Sequence, residues 1–553
     1  MEKNRTKTRS KTTNFVVQGS ILAIAGILVR LIGMVYRIPL INIIGQEGNG
    51  YYTSAFSVYS ILLIISSYSL PVAVSKMVAA RLAREQYRNS LRILKLALIY
   101  ATVVGGLGAA VLWFGAETFA LALKKPFCKY ALETLAPTIW IMAYLGVLRG
   151  YFQGKGTMVP TAFSQILEQI INAVISVFAA YHLFAKGVIA NAVHDETAYS
   201  YAYGAAGGTI GTGAGALAAF LFFLLLTLSQ RKRMRRRAAR DKSGKIESYG
   251  KLTTALTFTI LPIVLSSTIY NISSVVDDYL FSDGMAKMGV ATVTIVSLWG
   301  IFGQYHLLFN IPVAISNALS SSLIPSLSRA VAARDRKQVK ARVALAIRFS
   351  MIIAIPSTVG MTILAGPVNN LLFASTENTT LIKLTMAGSL AVLFFSLSTV
   401  TNAILQGINH MNIPLRNAFI SLIIHVAALH VMLRTFNFGI YSVVFANIIF
   451  AFIMCILNAL AIRRYLRYRQ ELKKTFILPT VASAFMGAAA YGVYRLTFTL
   501  IHKNSVSAIL AIIAAVFVYG VLLIRLRCIE QEELKSMPMG GKIIRVSKKL
   551  HLL

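Results

Sequence analysis

Acidic residues are scarce in this chain. Nineteen Asp and Glu stand against 55 Lys and Arg in 553 residues, and charge of either sign makes up only 13% of the sequence, against 56% hydrophobic residues. A water-soluble protein cannot hide that much apolar surface, whereas a polytopic membrane protein presents it to lipid. Cysteine is rarer still: Cys128, Cys455 and Cys528 lie in three separate contexts and offer neither a disulfide framework nor a metal motif. The histidines are scattered with no HExxH arrangement, and intramembrane acids are too few to supply catalytic carboxylate pairs. We therefore read the chain as a non-enzyme with no cofactor and no metal. The glycines of GAAGGTIGTGAGALAAF (204–220) open no βαβ unit, so they suit close helix packing and not a phosphate loop. No pore-loop filter motif supports a simple channel. No small-residue cleavage site follows the basic start MEKNRTKTRSK, which reads as the lead into a retained first helix.

What is present is a succession of long apolar segments. They predict an all-α polytopic membrane protein with about fourteen transmembrane helices, arranged as two parallel six-helix lobes plus two C-terminal helices. The expected divisions are a basic cytoplasmic tail at 1–13, an N-terminal lobe at 14–228, a basic cytoplasmic linker at 229–253, a C-terminal lobe at 254–462, accessory helices 13 and 14 at 463–525, and a cytoplasmic tail at 526–553. A net charge of +36 raises the question of nucleic acid, but its placement argues against it. With both termini cytoplasmic, most Lys and Arg fall on the inner side, which is the positive-inside bias of a multi-pass cell-membrane protein. The basic linker can also meet anionic membrane lipids.

Two short matches share one offset. VAAR occurs at 78–81 and 331–334, after Ser75-Lys76 and Ser328-Arg329, and FQGKGTMVP (152–160) resembles LQGINHMNIP (405–414). Both pairs stand 253 residues apart, which points to duplication of a unit with an even number of spans. Two copies of the same orientation enclose a central cavity suited to alternating access.

The first span carries Arg30 and Arg37 in an otherwise apolar run. At 1.5 Å per residue, Arg30 lies about 22 Å beyond Phe15, too far to snorkel back to the starting interface. Gly19, Gly26, Arg30, Gly33 and Arg37 fall within about 60° of one another on a helical wheel. That stripe is a candidate anion site, unless acids on neighbouring helices neutralise it. Span 5 presents Gln165, Glu168, Gln169 and Asn172 on one face, and span 7 presents Ser267, Asn271, Ser274 and Asp278, with Asp277 to the side. Asn310 and Asn317 stand seven apart in span 8, and Thr399, Asn402 and Gln406 share a face of span 10. The expected substrate-binding set is Arg30, Arg37, Gln165, Glu168, Asn172, Asn271, Asn310 and Asn317. Ion coupling or gating falls to Glu47, Glu168, Asp277 and Asp278.

The RLIGMVYR core of span 1, the IIGQEGNGYY turn, SLPVAVSKMVAARLA after span 2 and LRGYFQGKGTMVP before span 5 resemble the polysaccharide-flippase branch of the multidrug/oligosaccharidyl-lipid/polysaccharide exporter superfamily. Within it the chain is most similar to Gram-positive lipid II flippases and stage V sporulation membrane proteins. The resemblance covers residues 14–525. It implies transport of an undecaprenyl-pyrophosphate-linked sugar, most of all the peptidoglycan precursor lipid II, from inner to outer leaflet. It also implies that Arg30 and Arg37 bind pyrophosphate, that Glu47 is the acid following span 1, and that the cycle depends on membrane potential, Na+ or H+. A role in cell-wall biogenesis, cell shape or sporulation, contact with cell-wall synthesis proteins and action as a monomer belong to the same expectation. The family's span 8 arginine has no counterpart here, where Asn310 and Asn317 stand. The alternatives are a cationic multidrug antiporter of the same fold, which favours an acidic central site, and a nontransporting membrane scaffold.

Overall fold

The computed structural model describes residues 21–22, 24–241 and 246–528. The N-terminal tail with Gly19, and the end of the C-terminal tail, lie outside the described residues. No strand occurs among the described residues; twelve helical segments are long and apolar enough to cross a membrane, and two shorter apolar helices, Ile24–Val35 and Tyr249–Leu265, accompany them. The chain is thus the expected all-helical membrane protein. It packs as two compact units, Met1–Gly303 and Gln304–Leu553.

The first unit opens with α1 (Ile24–Val35) and α2 (Arg37–Leu63), which runs on through a π-turn at Ile64–Tyr68 into α3 (Leu70–Leu82). The turn expected at INIIGQEGNG is helical on both sides of a single break. Gly45 alone leaves helical geometry, at φ 66° and ψ −173°, a conformation open to glycine and strained for any residue with a Cβ. Next come α4 (Tyr87–Tyr100), α5 (Gly106–Ala122), α6 (Lys129–Gly154), α7 (Val159–His194), α8 (Ala198–Ala239), α9 (Tyr249–Asn271), α10 (Ser273–Lys287) and the first part of α11 (Thr292–Ala332). Much of the basic linker is not a loop. Residues 229–239 extend α8, because Arg and Lys are good helix formers and Arg236 and Arg237 in its last turn complement the helix dipole. Two further linker residues are held to α3 and α4: Arg81 donates to both carboxylate oxygens of Glu247 at 3.1 and 2.8 Å, and the Arg88 backbone N–H donates to Asp241 at 2.8 Å.

The glycine-rich start of α8 packs as expected. A Cβ on Gly207 would lie 2.5 Å from the Ala179 carbonyl oxygen of α7, and Gly211 and Gly215 touch Ser176 and the Glu168 carbonyl in turn. Spaced four apart, they bring the two backbones close along about two turns. A second close seam joins α2 to the beginning of α11. Gly50 abuts the Val296 carbonyl, Gly300 abuts the Gln46 carbonyl, and Asn49 Nδ2 donates to Gly300 O at 2.7 Å.

The second unit takes the remainder of α11 with α12 (Arg336–Ile363), α13 (Ala365–Leu372), α14 (Thr379–Gly407), α15 (Asn412–Arg434), α16 (Tyr441–Leu466), α17 (Leu478–Ile501) and α18 (Asn504–Arg525). One apolar core gathers α11, α12, α14 and α16, and another joins α12 and α13 to α17 and α18. Between α11, α12, α13, α17 and α18 lies a cavity of about 590 Å³ with mostly apolar walls.

The 253-residue offset reappears as packing. Gly154 ends α6 against α3, where an added Cβ would lie 2.9 Å from Ser75 O and 2.8 Å from Val78 Cβ. Gly407, its counterpart, ends α14 against α11: its Cβ would lie 2.9 Å from Leu327 Cδ2, and Ser328 Oγ donates to its carbonyl at 3.0 Å. Ser75 and Ser328 are themselves one offset apart.

Candidate functional site

Four polar residues of α7, Ser164, Glu168, Asn172 and Ser176, recur every fourth position and so line one side of an apolar helix. Each reaches across to a neighbouring helix. Ser164 Oγ and Glu168 Oε2 accept from Arg149 of α6, at 3.1 Å from Nε and 2.7 Å from Nη2. Asn172 Nδ2 donates to the Tyr36 hydroxyl at 3.3 Å, and its Oδ1 accepts from Ser176 at 2.9 Å and from Thr212 of α8 at 3.5 Å. Ser176 Oγ lies 2.7 Å from the Gly208 carbonyl. These bonds satisfy groups that would be costly to leave alone in an apolar interior, and they fix α7 against α6, α8 and the α1–α2 junction.

Arg37 enters this ladder through tyrosine. Its guanidinium carbon lies 4.8 Å from the Tyr52 ring centroid and 5.9 Å from that of Phe56, and Tyr52 OH is 3.4 Å from Tyr36 OH. Arg37 is half-buried, and among the described residues no carboxylate pairs with it. Arg149 and Glu168 neutralise each other, so Arg37 leaves the ladder with an excess positive charge beside hydroxyl and amide donors. That is the chemistry of an anion site. Arg30 stands exposed on α1, and the expected close-packed stripe is realised at Gly33, whose Cβ would meet Gln169 Nε2 at 2.9 Å, whereas Gly26 has open space.

Other expected residues lie elsewhere. Gln165 is half-buried with its Oε1 unpartnered. Glu47 is buried and accepts from the Tyr51 hydroxyl at 3.2 Å. Asn271 is exposed and bonds to Ser267 O of its own helix at 2.8 Å, and Asn310 is exposed beside His306 Nδ1 at 2.9 Å. Asn317 is half-buried in the second unit. Asp277 and Asp278 are both buried, and Asp278 pairs with Lys125, which also donates to Ser54 at 2.8 Å and lies 4.7 Å from the Trp299 ring centroid. Lys125, in the short connection between α5 and α6, is fully buried. The residues that sequence reasoning missed are Arg149, Tyr36, Tyr52 and Lys125. An arginine closing an otherwise apolar span was the available signal for Arg149.

The equivalent positions of the second repeat carry neither guanidinium nor carboxylate. One offset from Arg149, Ser164, Glu168 and Asn172 stand Asn402, Asn417, Ser421 and His425. Asn458 of α16 accepts from Asn417 at 2.9 Å and donates to Asn402 at 2.8 Å and to Thr401 at 3.0 Å. An ion pair in the first copy is replaced by an amide cluster in the second. Among the described residues no group of His, Cys, Asp and Glu is arranged to hold a metal ion.

The model of the lipid II flippase MurJ family matches residues 64–512. The chain belongs to that family. It is 27% identical over 530 residues to stage V sporulation protein B of Bacillus subtilis (strain 168), covering 95% of this chain and 98% of that protein. It is 24% identical over 491 residues to the lipid II flippase MurJ of the same organism, covering 85% and 86%. Its fold is similar to a solved structure of lipid II flippase MurJ in an inward closed conformation, at TM-score 0.66 and 16% identity over 91% of this chain and 97% of the other. It is also similar to an inward-facing multidrug-resistance MATE transporter, at TM-score 0.62 and 16% identity over 81% and 99%. A multi-pass membrane transporter of the MurJ family, with the fold shared by MurJ and MATE proteins, accounts for the helices and for the polar ladder within them.

Proposed function

We propose that the chain moves an undecaprenyl-pyrophosphate-linked glycan, with lipid II as the first choice, from the inner to the outer leaflet of the cell membrane by alternating access. The observation that carries this reading is Arg37: a half-buried guanidinium on a polar ladder inside an apolar body, with aromatic neighbours and no carboxylate pair among the described residues. A pyrophosphate supplies the missing negative charge, and guanidinium presents its donors in a fork matched to phosphoryl oxygens. Arg30, in the same helical run, is the second cation for that headgroup. With both termini cytoplasmic, an inside-negative potential favours outward movement of an anionic headgroup, by about 2.3 kcal/mol per charge per 100 mV. Glu47, Glu168, Asp277 and Asp278 remain the acids through which Na+ or H+ would couple. The protein's part is binding and movement, with no covalent chemistry.

A cationic antiporter would use Glu168 as its site acid, but Arg149 already pairs with that carboxylate. The test is native mass spectrometry of the full chain with lipid II or with undecaprenol, which lacks the pyrophosphate. Lipid II retained over undecaprenol, with the preference reduced by Arg37→Ala and by Arg30→Ala, supports the reading. Equal retention of both lipids, or variants that bind lipid II as wild type does, refutes the assigned cations.

A further inference from the structure

A second cation cluster lies apart from the ladder, at the end of the first unit where α8 carries its basic extension. A cavity of about 630 Å³ opens there among the start of α4, the α6–α7 turn and the last turns of α8. Arg233 and Arg237, one turn apart on α8, line it, and Lys155 lines it from the α6–α7 turn. Lys155 Nζ donates to Gln230 Oε1 at 2.7 Å and stands 4.7 Å from the Phe152 ring centroid. Among the described residues, no ion pair involves any of these three cations. Burial, with the neighbouring charges of Arg237 and Arg233, pulls the Lys155 ammonium below its ordinary value, as expected for like charges gathered without a counterion.

The opening of α7 adds to the same field. Val159 and Pro160 form part of the cavity wall, so the positive dipole end of α7 adds to the field there, although Pro160 itself carries no N–H. Leu82, Leu91 and Met234 also line it, placing apolar surface beside the charges, and Tyr87, Ser90, Tyr151 and Thr157 add hydroxyl groups.

We propose that this cavity binds the phosphoryl group of an anionic membrane phospholipid and so fastens the α8 extension to the α6–α7 turn. Three cations with no facing acid select a phosphate, and the apolar walls select one that carries acyl chains over a free ion. The cavity is separate from Arg37, and its occupancy does not depend on which glycan is transported. The proposed orientation sets only the leaflet, placing it at the inner one.

The test uses the full chain in detergent, titrated with phosphatidylglycerol or phosphatidylcholine and read by native mass spectrometry, with inorganic phosphate as competitor. R233Q/R237Q and, separately, K155Q remove charge from the cavity. R231Q/R235Q removes the same charge from positions on α8 outside the lining. Phosphatidylglycerol is expected to be retained over phosphatidylcholine, to fall by about tenfold in R233Q/R237Q, and to change by less than about twofold in R231Q/R235Q. Equal losses in the two double variants refute a built site and assign the effect to diffuse charge. Displacement by inorganic phosphate at equal phosphoryl concentration refutes the lipid occupant and assigns the cavity to the free ion. If R233Q/R237Q does not fold, K155Q decides: reduced retention supports the site, and wild-type retention refutes it.

Discussion

The Arg149–Glu168 pair makes the sharpest energetic prediction. The two side chains are 10% and 21% exposed and meet at 2.7 Å, with Ser164 holding the other side of the guanidinium. Removing one member of a buried pair costs about 3–5 kcal/mol, because the other charge is left in an apolar setting. Arg149→Met, which keeps much of the side-chain volume, is therefore expected to cost about 3 kcal/mol by stranding Glu168. Glu168→Gln keeps an acceptor for Arg149 and loses only the charge, so its cost is nearer about 2 kcal/mol. The double variant strands no charge, as in the second repeat, where the two positions carry the neutral residues Asn402 and Ser421. Its cost should be about 2 kcal/mol instead of the additive 5, a coupling of about 3 kcal/mol. Thermal unfolding in detergent can be followed with a thiol-reactive fluorogenic dye, since Cys128, Cys455 and Cys528 are free and buried until the chain opens. At about 2 °C per kcal/mol for units of this size, the double variant should melt about 4 °C below wild type. An additive fall of about 10 °C would refute the pair as a charge-compensated unit.

Three further outcomes follow from the geometry. Lys125→Met should destabilise the first unit by about 3–5 kcal/mol by leaving Asp278 buried without its cation, and adding Asp278→Asn should recover most of that loss in the same thermal assay. Gly300→Val inserts a side chain against the Gln46 carbonyl, so the seam between α2 and α11 must open; the folded yield and melting temperature should both fall, while Gly250→Val, in open space, should leave them unchanged. Hydrogen bonds from Arg81 hold the Glu247 carboxyl below its ordinary range. Its stabilising contribution is therefore complete above the unfolded carboxylate pKa and is lost as pH falls through the lower folded value. Amide exchange around residues 246–252, corrected for intrinsic rates, should rise in acid for wild type and lose that pH step in Glu247→Gln.

The helical class, the repeat and most spans were legible because hydropathy and a fixed offset are one-dimensional signals. So was the glycine seam of α8, since four-residue spacing maps directly onto one helix face. Asn172 and Glu168 were legible as a polar stripe on α7, but their partners were not, because helix-to-helix pairing requires knowing which faces meet. Arg149 is the clearest case: it sits inside a motif that carried the family resemblance, yet only the fold shows that it cancels Glu168. The burial of Lys125 was not legible either: nothing in the short segment LKKPFCK marks one lysine as buried, and only tertiary packing closes Trp299, Ser54 and Asp278 around it. Asn271 and Asn310, polar residues at helical spacing, are exposed and bond within their own helices.

The central claim is that Arg37 serves a pyrophosphate on its way across the membrane. Proteoliposomes containing the full chain, fluorescent lipid II in one leaflet and an imposed inside-negative potential measure this directly. The account predicts transfer by wild type and a loss of about tenfold or more in Arg37→Ala at equal abundance and equal melting temperature, a factor matching about 1.4 kcal/mol of lost headgroup stabilisation. Transfer by Arg37→Ala at the wild-type rate would contradict it, as would a correctly folded and oriented wild-type protein that moves no lipid II.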